Sequence, residues 1–121
     1  MPAQAKQDTP EGAAAFVKHY IDVFNYAAST GDVDELSRLS DPACKPCRRY
    51  ADKFEAIYAK GDRVSVRLWD LHGDELELVG NTRVNADMDV NEGTIKRYRF
   101  GFDVTPTAPF ALKNITILDK P

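Results

Sequence analysis

The stretch TRVNADMDVNEGTIKRYRFGFDV, residues 82–104, decides how this chain folds. Turned about Glu92-Gly93-Thr94 with Asn91 opposite Ile95, it sets Met88 against Tyr98, Ala86 against Phe100 and Val84 against Phe102. The same register sets Asp89 against Arg97 and Asp87 against Arg99. One pairing thus gives an apolar face for a core and a charge-complementary face for water. The carboxylates and guanidiniums alternate with the apolar residues and point away from the core. They read as a solvated ladder of ion pairs, each worth about 0.2 to 1 kcal/mol, rather than as an acid–base constellation.

Outward from the hairpin, Val64, Val66 and Leu68 alternate with Ser65, Arg67 and Trp69, which predicts a strand there, and a second strand lies within 70–79. After Pro106 and Pro109, residues Phe110 to Leu118 read as the closing strand. The first half has helical periodicity instead. Thr9 caps a helix whose first position is Pro10, with Ala13, Val17, Tyr20, Ile21, Phe24 and Ala28 at three- and four-residue intervals and Gly31 as its stop. A short helix over about Val33 to Leu39 takes Asp32 or Asp34 as N-cap, and Asp41-Pro42 breaks the chain. A third helix begins near Lys45 because Pro46 suits only a first turn. Its stripe is Cys47, Tyr50, Ala51, Phe54, Ile57 and Tyr58, closed by Gly61. Helices followed by strands predict an α+β fold with three N-terminal helices on one face of a curved antiparallel sheet. The expected organisation is one domain over residues 9–121 preceded by a disordered segment or tether remnant over 1–8.

At 121 residues the chain buries enough surface to fold without cross-links. Sixteen basic and nineteen acidic residues are interspersed and sum to −3, which provides no field for nucleic acid or an anionic membrane. No apolar run reaches the ~18 residues needed for a membrane span. The polar opening after Met1 has no signal-peptide pattern, and reads either as a native start or as what remains once an export signal is removed. Phosphate loops, serine elbows and His-Glu metal pairs are absent from the sequence. Asn114-Ile115-Thr116 fits a glycosylation acceptor by pattern but falls in the last strand.

Cys44 and Cys47, the only two cysteines, flank Lys45-Pro46 at the start of the third helix. Positions three apart on a helix are slightly too distant for a disulfide, and the irregular first turn at Pro46 closes the gap. The first reading is a local structural disulfide worth about 2 kcal/mol by loop entropy. The alternative is thiol–disulfide exchange, since a helix N-terminus lowers a thiol pKa and Cys47 could resolve Cys44. The stretch from Cys44 to Phe54 has a superficial likeness to thioredoxin, but a helix and polar Leu39-Ser-Asp-Pro precede it where thioredoxin has a buried strand. Zinc held by the two cysteines with His19 and His72 has no recognised ligand spacing, so neither metal nor cofactor is expected.

Four segments carry a family resemblance: Thr9-Pro-Glu-Gly-Ala-Ala-Ala-Phe, Ala28-Ser-Thr-Gly-Asp, Leu39-Ser-Asp-Pro-Ala-Cys-Lys-Pro-Cys and Tyr58-Ala-Lys-Gly-Asp-Arg. In order, they resemble a family of uncharacterised actinobacterial lipoproteins, similar to a branch of the nuclear transport factor 2-like, or cystatin-like, superfamily. The resemblance covers about residues 9–63, and the second half agrees in strand pattern. It implies a cone of three helices on a curved sheet, held outside the cytoplasmic membrane by a lipid anchor and a tether that precede the domain. It also implies a pocket between the helices and the sheet. The residues expected to face it are Tyr20 and Phe24, Phe54 and Tyr58, and Trp69, Tyr98, Phe100 and Phe102.

Enzymes of that superfamily place an Asp or His inside as general base, whereas here tyrosine hydroxyls are the only ionisable groups expected on the inner face. The leading expectation is therefore a noncatalytic extracytoplasmic domain that binds a small ligand or a protein partner, as monomer or homodimer. The alternatives are thiol–disulfide exchange at Cys44/Cys47 and a lyase- or isomerase-like pocket enzyme, with no catalytic residue assigned.

Overall fold

The computed structural model describes residues 3–79 and 82–119, leaving the side chains of Gln4, residues 72–75 and Asp119 outside that description. The fold is α+β. Helix α1 runs Pro10–Thr30, α2 Asp34–Arg38 and α3 Lys45–Ala59, followed by strands β1 Trp69–Val79, β2 Arg83–Asn91, β3 Ile95–Val104 and β4 Leu112–Asp119. The strands form one antiparallel sheet in the order β1-β2-β3-β4. Within the segment expected to be unstructured, Ala3–Lys6 instead makes a 3-10 turn that buries Ala5 against the core.

The helix ends follow their capping residues. Thr9 Oγ1 accepts from the Gly12 amide at 2.9 Å, and Gly31, at φ 78°, donates its N–H to the Ala27 carbonyl at 2.8 Å. Tyr58 packs so closely under Gly31 that a Cβ there would lie 2.6 Å from its ring. Helix α3 ends in a Schellman motif: Asp62 N–H bonds Ile57 O and Gly61 N–H bonds Tyr58 O. At α2 the N-cap is Val33, not an aspartate, and Asp32 Oδ1 accepts from the Asp34 amide one position later.

The hairpin has the register read from its sequence at every pair, from Arg83 opposite Asp103 to Asn91 opposite Ile95. Val84, Ala86, Met88 and Val90 face the helices and are buried. The opposite face carries Arg99 bonded to both Asp87 and Glu77, and Arg97 to Asp89. A further pair, Arg83 and Asp103, is bidentate at 2.9 and 3.0 Å.

The strand expected at Val64 to Leu68 does not form. That segment crosses from the end of α3 to β1 as irregular chain, with Val64 and Leu68 turned to the core and Val66 exposed. Its groups find isolated partners instead of a ladder: the Asn91 amide bonds Leu68 O, and the Val64 amide bonds the Tyr58 hydroxyl. At the other end of the sheet, Leu112 N–H bonds Leu39 O and Asp41 N–H bonds Leu112 O, joining β4 to the α2–α3 connection.

Candidate functional site

Trp69 is the residue around which the site is built. It opens β1 and is held there by a helix side chain: Asn25 of α1 donates Nδ2 to the Trp69 carbonyl at 2.8 Å and accepts the Trp69 N–H on Oδ1 at 3.1 Å. Both residues are buried, so the amide replaces a strand neighbour for a backbone that would otherwise be unpaired. The indole stacks on Phe24 with centroids 3.5 Å apart and meets Tyr50 and Phe100 edge-on, each at 5.3 Å.

Beside this cluster lies a cavity of about 490 Å³, within the range of small-molecule sites. Phe24, Tyr50, Phe54 and Ile57 wall it from the helices, and Val64, Leu68 and Trp69 from the irregular crossing and the start of β1. Val90, Tyr98, Phe100 and Ile117 close the sheet side. Lys53 of α3, and Asn91 and Glu92 at the β2–β3 turn, complete the lining; Lys53, Glu92 and Ile117 are its exposed residues and mark the mouth.

The structure brings together five of the expected pocket residues: Phe24, Phe54, Trp69, Tyr98 and Phe100. Three lie elsewhere. Tyr20 is one turn back on α1, fully buried and hydrogen-bonded to Ser40 Oγ at 2.9 Å, and burial pushes its hydroxyl pKa up to about 12. Tyr58 turns to α1 and donates to the Ala28 carbonyl at 2.7 Å. Phe102 is fully buried two residues farther from the turn, at the closed end.

Sequence reasoning missed Tyr50 as a lining residue, together with both charged groups of the mouth. Tyr50 was on the α3 stripe, and the 50, 54, 57 spacing was the signal for one helix face lining a cavity. Lys53 and Glu92 add two exposed charged groups at the rim to the tyrosines expected on the inner face. Burial raises the Tyr50 pKa and the Glu92 charge raises it further, so the hydroxyl remains a proton donor at neutral pH. Neither Lys53 nor Glu92 has an ion-pair partner among the described residues.

Cys44 and Cys47 are joined in a disulfide with Cα atoms 5.3 Å apart, closing the first turn of α3. The residues are only 1% and 2% exposed. The pair is therefore not available to ligate zinc, and the side chain of His72 lies outside the described residues. Among the described residues no group of three or more His, Cys, Asp or Glu is placed to hold a metal ion, and no helix is long and apolar enough to cross a membrane.

No curated protein and no solved structure is detectably similar to the chain. The profile of a family of unknown function (DUF6318) matches residues 1–105, a span that includes all three helices, β1 to β3, the disulfide and every cavity-lining residue except Ile117. The match extends over well more than half of the sequence, and the chain belongs to the DUF6318 family of unknown function.

Proposed function

We propose that this domain is a noncatalytic binding module, held outside the cytoplasmic membrane as part of a lipoprotein, whose cavity takes a small ligand with a ring-sized apolar body. The observation that carries the reading is the cavity of about 490 Å³ walled by aromatic rings and aliphatic side chains, with a few polar groups gathered at one mouth. On this reading the helices and sheet are a variant of the nuclear transport factor 2-like, or cystatin-like, arrangement, and the disulfide fits an oxidising compartment. Burial of both cysteines favours a staple over exchange chemistry, which needs a sulfur that a thiolate can reach. Among the described residues Glu92 is the one carboxylate that lines the cavity, and its place on the exposed rim favours binding over general-base chemistry.

The test uses N-phenyl-1-naphthylamine, an uncharged ring probe that fluoresces in apolar surroundings. Saturable 1:1 binding with quenching of Trp69, the sole tryptophan, is the expected result. Ile57→Trp, which fills the cavity, is expected to abolish it while leaving the circular dichroism spectrum unchanged. Non-saturable binding, or binding unaffected by the filling substitution, would overturn the proposal.

A further inference from the structure

Among the described residues that line the cavity Lys53 is the one cation and Glu92 the one anion, and no ion pair there neutralises either. Lys53, on α3, and Glu92, in the β2–β3 turn, both line the opening from opposite elements, and both side chains are exposed. They do not pair with each other, and the described residues supply neither with another ion-pair partner. This contrasts with the outer face of the sheet, where Arg83, Arg97 and Arg99 all meet carboxylates. Just inside the mouth are Tyr50 and Tyr98, whose hydroxyls make no hydrogen bond among the described residues, while the walls behind them are apolar.

From this arrangement we infer that the cavity selects a zwitterion with an apolar ring-sized body, of the α-amino-acid class, its carboxylate facing Lys53 and its ammonium facing Glu92. The inference rests on the binding role proposed above and names the ligand chemistry of that same site. A monoanion satisfies Lys53 but brings like charge to Glu92. A monocation does the reverse, and a neutral ring leaves both charges to water. Only a ligand with both charges answers both groups, and the tyrosine hydroxyls offer donors for its carboxylate or acceptors for its ammonium. The ring then occupies the space beside Trp69 and Phe54, where it removes apolar surface from water.

The experiment is displacement of N-phenyl-1-naphthylamine by L-phenylalanine, 3-phenylpropionate, 2-phenylethylamine and benzyl alcohol, which vary the two charges on one ring. L-Phenylalanine is expected to displace the probe about threefold to fivefold better than either singly charged analogue at low salt, the size expected of one exposed ion pair, with the advantage shrinking at 0.5 M salt. Lys53→Met is expected to remove the preference over 2-phenylethylamine alone, and Glu92→Gln the preference over 3-phenylpropionate alone. Equal displacement by all four compounds, or a preference untouched by both substitutions, overturns the zwitterion inference while the binding role stands. Failure of the probe itself to bind overturns the binding role and this inference with it.

Discussion

Replacing Asn25 tests whether one helix side chain sets the position of the whole site. Asn25→Ala removes two hydrogen bonds, at 2.8 and 3.1 Å, and leaves the N–H and carbonyl of Trp69 without partners in a place water does not reach, since Trp69 is 2% exposed. An orphaned buried backbone group costs about 1 to 3 kcal/mol, so the pair is worth about 2 to 6 kcal/mol, a large share of the roughly 5 to 15 kcal/mol of a typical domain. For a chain of this length the corresponding drop in Tm is about 8 to 24 °C. Urea and thermal unfolding followed by Trp69 emission measure the two effects, because the indole reports on its own environment. Asn25→Asp refines the test. Its carboxylate still accepts the Trp69 N–H but faces the Trp69 carbonyl oxygen and has no donor for it. Burial and that oxygen hold the new carboxyl above its ordinary value, so the variant gains stability as pH falls and the acid form becomes a donor. A loss below about 0.5 kcal/mol in Asn25→Ala with unchanged emission, against the 1 to 3 kcal/mol expected per orphaned group, would refute the reasoning.

The disulfide and Tyr20 give further outcomes. Replacing Cys44 and Cys47 together by alanine is expected to cost about 2 kcal/mol by loop entropy, seen as a lower urea midpoint at constant slope. The native pair should show a reduction potential below about −300 mV because neither sulfur is accessible, and a value above about −230 mV would contradict a purely structural role. Tyr20 gives a pH dependence at the alkaline end. Its hydroxyl ionises near 10 when unfolded and about 12 when folded, so the native state keeps a proton the unfolded chain has lost. Stability is therefore unaffected below pH ~10 and falls by about 2 to 3 kcal/mol between pH ~10 and ~12. Tyr20→Phe is expected to remove that fall while costing about 1 kcal/mol at neutral pH, and an unaltered alkaline slope would show that another group carries it.

The sequence made legible what local chemistry specifies twice over. Thr9, Pro10 and Gly31 delimit α1 by independent signals, and the hairpin register is set both by its apolar pairs and by its charges. The pattern Val64, Val66, Leu68 misled because alternation over five residues specifies two faces but no partner strand. In the folded chain those residues cross above the cavity, so two apolar side chains point inward without a ladder beside them. Site residues were legible where a strand or helix face fixes direction, as for Phe24, Phe54 and Phe100. They were not legible where the depth of the cavity decides. Tyr20 and Phe102 are on the same inward faces as their neighbours, yet they sit in the packed end. Lys53 and Glu92 could not be found by hydropathy, because a charge at a mouth looks like any exposed charge until the elements that carry it are placed opposite each other.

The join between Leu39, Asp41 and Leu112 makes the two ends of the domain unequal. At that end the first residues of β4 are tied to the helical layer, so the sheet cannot peel away from the helices there without breaking main-chain bonds. At the other end, Asn91 and Glu92 at the β2–β3 turn and Lys53 of α3 line the mouth, with no ion pair between Lys53 and Glu92. On the mouth side the corresponding tie is the pair of hydrogen bonds from Asn25 of α1 to the main chain of Trp69, so there a single side chain holds the layers together. Loss of that one amide would free the start of β1 from the helices, whereas the Leu39–Leu112 end is held by main chain that no substitution of a side chain removes.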